Sequence, residues 1–210
     1  MDKFIESAVN EIKSMTTQEE VNDYFSKHSL FTVTQIGEIL EALIFTTNHE
    51  PLKKVLKTEF FKNHSSAETG YDEPVAQTIA YAICGFASNK DLDINRRTFI
   101  KRTLMDILLD DSYHIDWTIV DGWNCSLLHV IAEYSDYFTL DEIKELLFKG
   151  INKQLPLLNR NSENNDIIDL FMASESLSIE DKHYLTSIIA STCDSECVVV
   201  PDDVYQEAKQ

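Results

Sequence analysis

The apolar positions of the chain recur at helical spacing from its first residues onward. Phe4, Ile5, Ala8, Val9, Ile12 and Met15 stand three and four apart, which predicts an amphipathic helix over about residues 2–15 with all six on its buried stripe. In "TTQEEVNDYF", Thr17 and Glu20 have the spacing of a capping box, and Val21, Tyr24 and Phe25 supply the apolar face behind it. Thr32 and Gln35 repeat the device ahead of Ile36, Ile39, Leu40, Leu43 and Ile44.

The pattern then becomes paired. After the polar break "TTNHE", the segment "PLKKVLKTEFF" resumes helical spacing behind a proline suited to a first helical turn, with Leu52, Val55 and Leu56 apolar. A second pair runs from "EPVAQTIAYAICGFA" through the charged break "SNKDLDINRR" to "TFIKRTLMDILLDD", where Ile100, Leu104, Ile107 and Leu108 form the stripe. With 5 Gly and 4 Pro in 210 residues, the chain lacks the punctuation that the many turns of a sandwich or doubly wound sheet require. The fold class predicted is all-α.

The third pair has a more specific spacing. Asp121, Asn124, Ser126, Leu127, Leu128, His129 and Ala132 precede Ile143, Leu146, Leu147, Gly150 and Ile151. This arrangement resembles an ankyrin repeat, in which Asp, Gly, Thr, Pro, Leu, His and Ala open the first helix and Val-x-x-Leu-Leu-x-x-Gly-Ala marks the second. It departs from that repeat in three ways: Asn124 replaces the turn glycine, Leu127 replaces the proline, and "EYSDYFTLDE" lengthens the connection between helices. Asn tolerates the left-handed conformation that glycine supplies. Asn161, Asn164, Asp166, Ile167, Ile168, Asp169 and Leu170 stand at the same offsets downstream, with His129 and Asp169 40 residues apart against about 33 in the family. The resemblance implies an irregular ankyrin-type helical repeat stack of about four divergent repeats, near 32–62, 70–113, 119–152 and 159–190. An N-terminal helical cap over 1–31 precedes the repeat domain of 32–197, and an acidic tail over 198–210 follows it.

That reading competes with a chemical one, because Cys125, Ser126 and His129 also have the composition of a nucleophile and its base. In an ankyrin repeat the Ser or Thr caps the first helix and bonds the His, whose ring reaches a neighbouring turn, so the resemblance gives Ser126 and His129 architectural roles. The alternative is an enzyme assembled across the repeats with Cys125 or Cys84 as nucleophile. No Gly-rich phosphate loop, His-Glu-x-x-His or Cys-x-x-Cys occurs. Cys193 and Cys197 have no His or further Cys beside them to complete a metal site, and His28, His49, His64, His114, His129 and His183 are scattered. No cofactor and no metal are expected, and acidic runs such as "DLD" and "LDD" read as solvated faces.

The net charge of −18 argues against gripping phosphate backbones or an anionic membrane surface. No apolar run reaches the roughly 20 residues that cross a bilayer, and "MDKFIESAVNEIKSM" lacks the regions of a secretory signal, so a cytoplasmic location is expected. The function predicted is non-enzymatic: docking a protein partner with a basic surface to mask, scaffold or recruit it. Short divergent ankyrin proteins resemble the host-directed effectors of viruses and intracellular bacteria, for which the host cytoplasm or nucleus is the location, and also inhibitors that mask transcription factors. The candidate contact residues are Tyr71 and Asp72 at one turn tip, Trp117, Asp121 and Trp123 in the extended stretch "HIDWTIVDGWN", and Tyr134 and Tyr137 in the lengthened connection. Aromatic residues are over-represented among interface hot spots.

Overall fold

The computed structural model describes residues 3–28, 30–69 and 73–193. Among these the chain is all-α, with eleven α-helices, a 3₁₀ turn at Ser135–Tyr137, an isolated antiparallel bridge between Glu68 and Pro74, and no strand. The helices are α1 (Lys3–Ser14), α2 (Gln18–Lys27), α3 (Val33–Ile44), α4 (Glu50–Leu56), α5 (Glu59–Lys62), α6 (Val75–Ser88), α7 (Ile94–Leu109), α8 (Leu127–Glu133), α9 (Leu140–Asn152), α10 (Ile167–Ala173) and α11 (Ile179–Thr192). No helix among the described residues is long and apolar enough to cross a membrane.

Both capping boxes read from the sequence are formed. The Thr17 hydroxyl accepts from the Glu20 N–H at 3.2 Å while Glu20 accepts from the Thr17 N–H at 2.9 Å, and Thr32 and Gln35 make the same reciprocal pair at 3.2 and 3.0 Å. Pro51 sits in the first turn of α4. The segment after it is not one helix, because the buried Thr58 hydroxyl accepts from the Phe61 N–H at 3.0 Å and starts α5 afresh. At the other end of α1, Phe4 is 47% exposed rather than part of the buried stripe, which consists of Ile5, Ala8, Val9 and Ile12.

The helices form two rows. In the first row α1 packs on α3, α3 on α6, α6 on α8 and α8 on α10. The second row contains α2 against α4 and α5, then α7 against α9 and α9 against α11, and its two parts are joined where the His114 N–H donates to the Leu56 carbonyl at 3.2 Å. The rows are tied across the pairs α3/α4, α6/α7, α8/α9 and α10/α11. A single apolar core runs from Ile5 to Ile189 between them. The central first-row helices α6 and α8 are buried on most of their surface between the neighbours before and after them, so stability propagates along the stack.

Between pairs the chain runs out in connections, here termed fingers, described at residues 64–69 with 73–74, at 110–126 and at 153–166. Gly37 shows how closely they approach the first row: a Cβ there would run into the Glu68 carbonyl, so glycine lets the first finger lie directly on α3. Lysines of the second row reach back to helix ends and loops. Lys54 donates to the Met15 and Thr16 carbonyls, Lys149 to that of Leu109, and Lys182 to that of Met172, each within 3.0 Å. Positive groups placed at helix C-termini are favourable.

Candidate functional site

The two later fingers end in turns of the same construction 40 residues apart. In one, Asp121 Oδ1 accepts from the Trp123 and Cys125 N–H groups, both at 2.8 Å; in the other, Asn161 Oδ1 accepts from the Glu163 and Asn165 N–H groups at 3.1 and 2.9 Å. The Asp121 N–H bonds the Cys125 carbonyl and the Asn161 N–H bonds the Asn165 carbonyl, closing both turns. The fourth position is left-handed in each, with φ 59° at Asn124 and 67° at Asn164, a conformation that Asn adopts more readily than most side chains. An Asx side chain at the start and an Asn at the left-handed position therefore specify the turn twice.

Adjacent fingers are bonded to one another. The Ser162 N–H donates to the Trp123 carbonyl at 2.8 Å, and the Asn124 side-chain amide donates to the Arg160 carbonyl at 2.6 Å. The first-row helices add a second tie through their third residue. The Gln77 side-chain amide of α6 donates to the Cys125 carbonyl at 2.5 Å. His129 of α8 accepts from the Ser126 N–H at Nδ1 (3.1 Å), which leaves Nε2 to donate to the Asn159 carbonyl at 3.0 Å, and the Ser126 hydroxyl lies 2.8 Å from Nδ1. Burial holds the His129 pKa below its ordinary value, opposed by the Asn159 and Asn165 carbonyls. Ser126 and His129 thus fix the start of α8 and couple it to the next finger.

Neither Cys84 nor Cys125 is activated. Burial pushes Cys84 up to about 12, and Cys125 is raised by burial and then by the Asp121 carboxylate. A nucleophilic thiolate requires the opposite shift. Among the described residues no group of three His, Cys, Asp or Glu side chains is placed to hold a metal.

The residues expected to make contacts fall in different places. Trp123, at the finger tip, is 70% exposed, and Asp121 beneath it is half-buried with its carboxylate engaged by the turn. Trp117 is 3% exposed and belongs to the core, so it cannot present its ring to a partner. The finger folds back onto the stack at this point, and an indole is large enough to fill the space beneath it. Tyr134 and Tyr137 are half-buried; Tyr134 packs edge-on against Tyr81 of α6 with ring centroids 5.6 Å apart, and the Tyr137 carbonyl accepts from Lys101 at 2.8 Å. Tyr71 and Asp72 lie outside the described residues, as do Cys197 and the tail of 198–210.

Periodicity did not mark Glu73, Tyr81 or Glu133, although together they give this face its electrostatic character. Partial burial raises Glu73, with Asp121 and Glu41 adding to the shift, and raises Glu133, with Glu163 and Asp121 adding. Tyr81 is driven upward by burial and then by Glu73, Tyr134, Asp121 and Glu133. A sequence signal for this face existed: helices α3, α6, α8 and α10 contain no Lys or Arg at all.

No family model matches the chain, and no curated protein or solved structure matches it.

Proposed function

We propose that the chain is a non-enzymatic binding module, a divergent ankyrin-type stack that docks a protein partner with a basic surface and thereby masks, scaffolds or recruits it. The observation that carries the reading is Trp123, a large indole left 70% exposed on a turn held by the Asp121 carboxylate and the Asn124 amide. Exposing that much apolar surface at a rigid position suits a hot spot, since little conformational entropy is lost when it binds. The paired turns, the His129 tie to the next finger and the two rows of helices support the ankyrin-type assignment. The raised thiol pKa values of Cys84 and Cys125 weigh against the cysteine-nucleophile alternative.

Affinity capture from a lysate with the native chain and with Trp123→Ala, followed by quantitative mass spectrometry, tests the proposal. A protein captured by the native chain and depleted with Trp123→Ala supports it, at a cost to binding of roughly 2 kcal/mol or more. Identical capture by both chains overturns Trp123 as the anchor.

A further inference from the structure

Beyond α1, which carries Lys3 and Lys13, the charges of this protein are sorted between its two rows. Of the 18 Lys and Arg residues, none lies on α3, α6, α8 or α10, and the fingers carry only Lys153 and Arg160. Lys153, just beyond α9, is paired with Asp111, and Arg160 is engaged by the Asn164 carbonyl, Asp166 and Asp169. The second-row helices hold eleven, from Lys27 of α2 and Lys62 of α5 to Lys182 of α11. Many of these are neutralised locally, as Lys101 is by Glu142 at 2.6 Å and Lys149 by Asp111 at 2.7 Å. The sorting is a property of the fold, distinct from the overall acidity of the chain.

On the opposite face Arg160 engages Asp166 and Asp169, but three other carboxylates have no such neutralisation. Glu73, Glu133 and Glu163 form no ion pair among the described residues, and each charged group that shifts Glu73 or Glu133 is another carboxylate. The face is also aromatic. Tyr81 and Tyr134 pack edge-on against each other, Glu73 and Glu133 both act on Tyr81, and Trp123 stands at the tip position that Glu163 occupies one finger on. Carboxylates beside one exposed and two half-buried rings suit Lys and Arg, whose cations pair with the former and whose stems and planes lie on the latter.

We propose that the occupant of this face is an extended, Lys/Arg-rich segment of the protein partner, lying across the fingers and the first row from α6 to α10. Its cations meet Glu73, Glu133 and Glu163, and its apolar stems meet Trp123, Tyr81 and Tyr134. Packed helices stand about 8–10 Å apart, and an extended chain advances about 3.3 Å per residue. A cation at every third residue therefore matches one unit of the stack. This inference rests on the binding-module reading and specifies its ligand and its surface.

The test is fluorescence anisotropy with a labelled peptide of four Arg-Ser-Ser repeats. Three chains are compared: the native protein, the triple variant Glu73→Gln, Glu133→Gln, Glu163→Gln, and a control triple variant Glu59→Gln, Glu145→Gln, Glu180→Gln, which removes the same charge from the second row. The proposal requires at least tenfold weaker binding for the first triple variant and a change of no more than twofold for the control. Circular dichroism melts of both establish that each is folded; Glu73 and Glu133 are strained as carboxylates, so their amides do not lower the melting temperature. Equal weakening in the two variants, or no binding to the native chain, overturns the proposal. If Trp123→Ala nevertheless strips a captured partner, only the basic-segment inference fails; if the native chain captures no partner either, the binding-module reading fails with it.

Discussion

Replacing His129 by Ala strikes the joint between one pair of helices and the next. The ring is 1% exposed and has two kinds of partner: the Ser126 N–H and hydroxyl at Nδ1, and the Asn159 carbonyl at Nε2. Ala removes both and strands a buried N–H at the start of α8, together with a carbonyl in the next finger. Each stranded group costs about 1–3 kcal/mol, and the vacated ring volume adds to this, so the total is about 3 kcal/mol or more. With an m-value of about 2–3 kcal/mol/M, the urea midpoint falls on the order of 1 M. Gln77 occupies the same helical position in α6 and reaches the following finger through its amide, so His129→Gln recovers about half of the loss. Urea unfolding followed by far-ultraviolet circular dichroism measures all three chains. A loss below about 1 kcal/mol for His129→Ala, or a Gln variant no better than the Ala variant, refutes the coupling.

Three further outcomes follow from the packing. Gly37→Ala drives a Cβ into the Glu68 carbonyl, a backbone atom that cannot step aside alone, and lowers the melting temperature. Gly85→Ala, with nothing within 4 Å, gains roughly 0.5–1 kcal/mol of helix stability, and equal melts for the two variants contradict the close approach. On acidification, His129 and His49 have folded pKa values held below the ordinary one by burial; their contribution is complete above about pH 6.5 and is lost as pH falls through the depressed values, because the unfolded chain takes up protons first. Glu73 and Glu133 act in the opposite sense, since their raised pKa values let the folded state bind protons first and relieve their strain below neutrality. Chemical denaturation across pH 4–8 therefore gives a shallower acid loss for His129→Gln and a steeper one for the double variant Glu73→Gln, Glu133→Gln, and unchanged slopes contradict these assignments.

Helices and their starts were legible because capping boxes and apolar stripes are local. The matched turns were legible too, since Asp121 and Asn161 begin them and Asn124 and Asn164 supply the left-handed residue. What periodicity missed depends on distant parts of the chain. Trp117 looks like a finger residue until the finger folds back and buries it. The break at Thr58 comes from a hydroxyl that caps a new helix inside an apolar pattern. The "LDD" run is solvated as read, with Asp110 and Asp111 exposed, but periodicity did not show that Asp111 bonds Lys149 of α9 and Lys153 just beyond it, which hold its pKa down to about 2. Tyr81 and Glu133 become neighbours only when α6 packs on α8. The grouping of the site is thus a product of stacking, whereas its turns, its exposed Trp123 and its missing cations were written into the local sequence.

The two tryptophans allow the central claim, that a partner covers the finger tip, to be measured directly. Trp117 is core and Trp123 is exposed, so Trp117→Phe leaves one reporter on the tip. Acrylamide quenching of that reporter is measured in the free chain and in complex with the captured partner. The account predicts efficient quenching in the free chain and strong protection in the complex; a complex in which Trp123 is quenched as readily as in the free chain contradicts it.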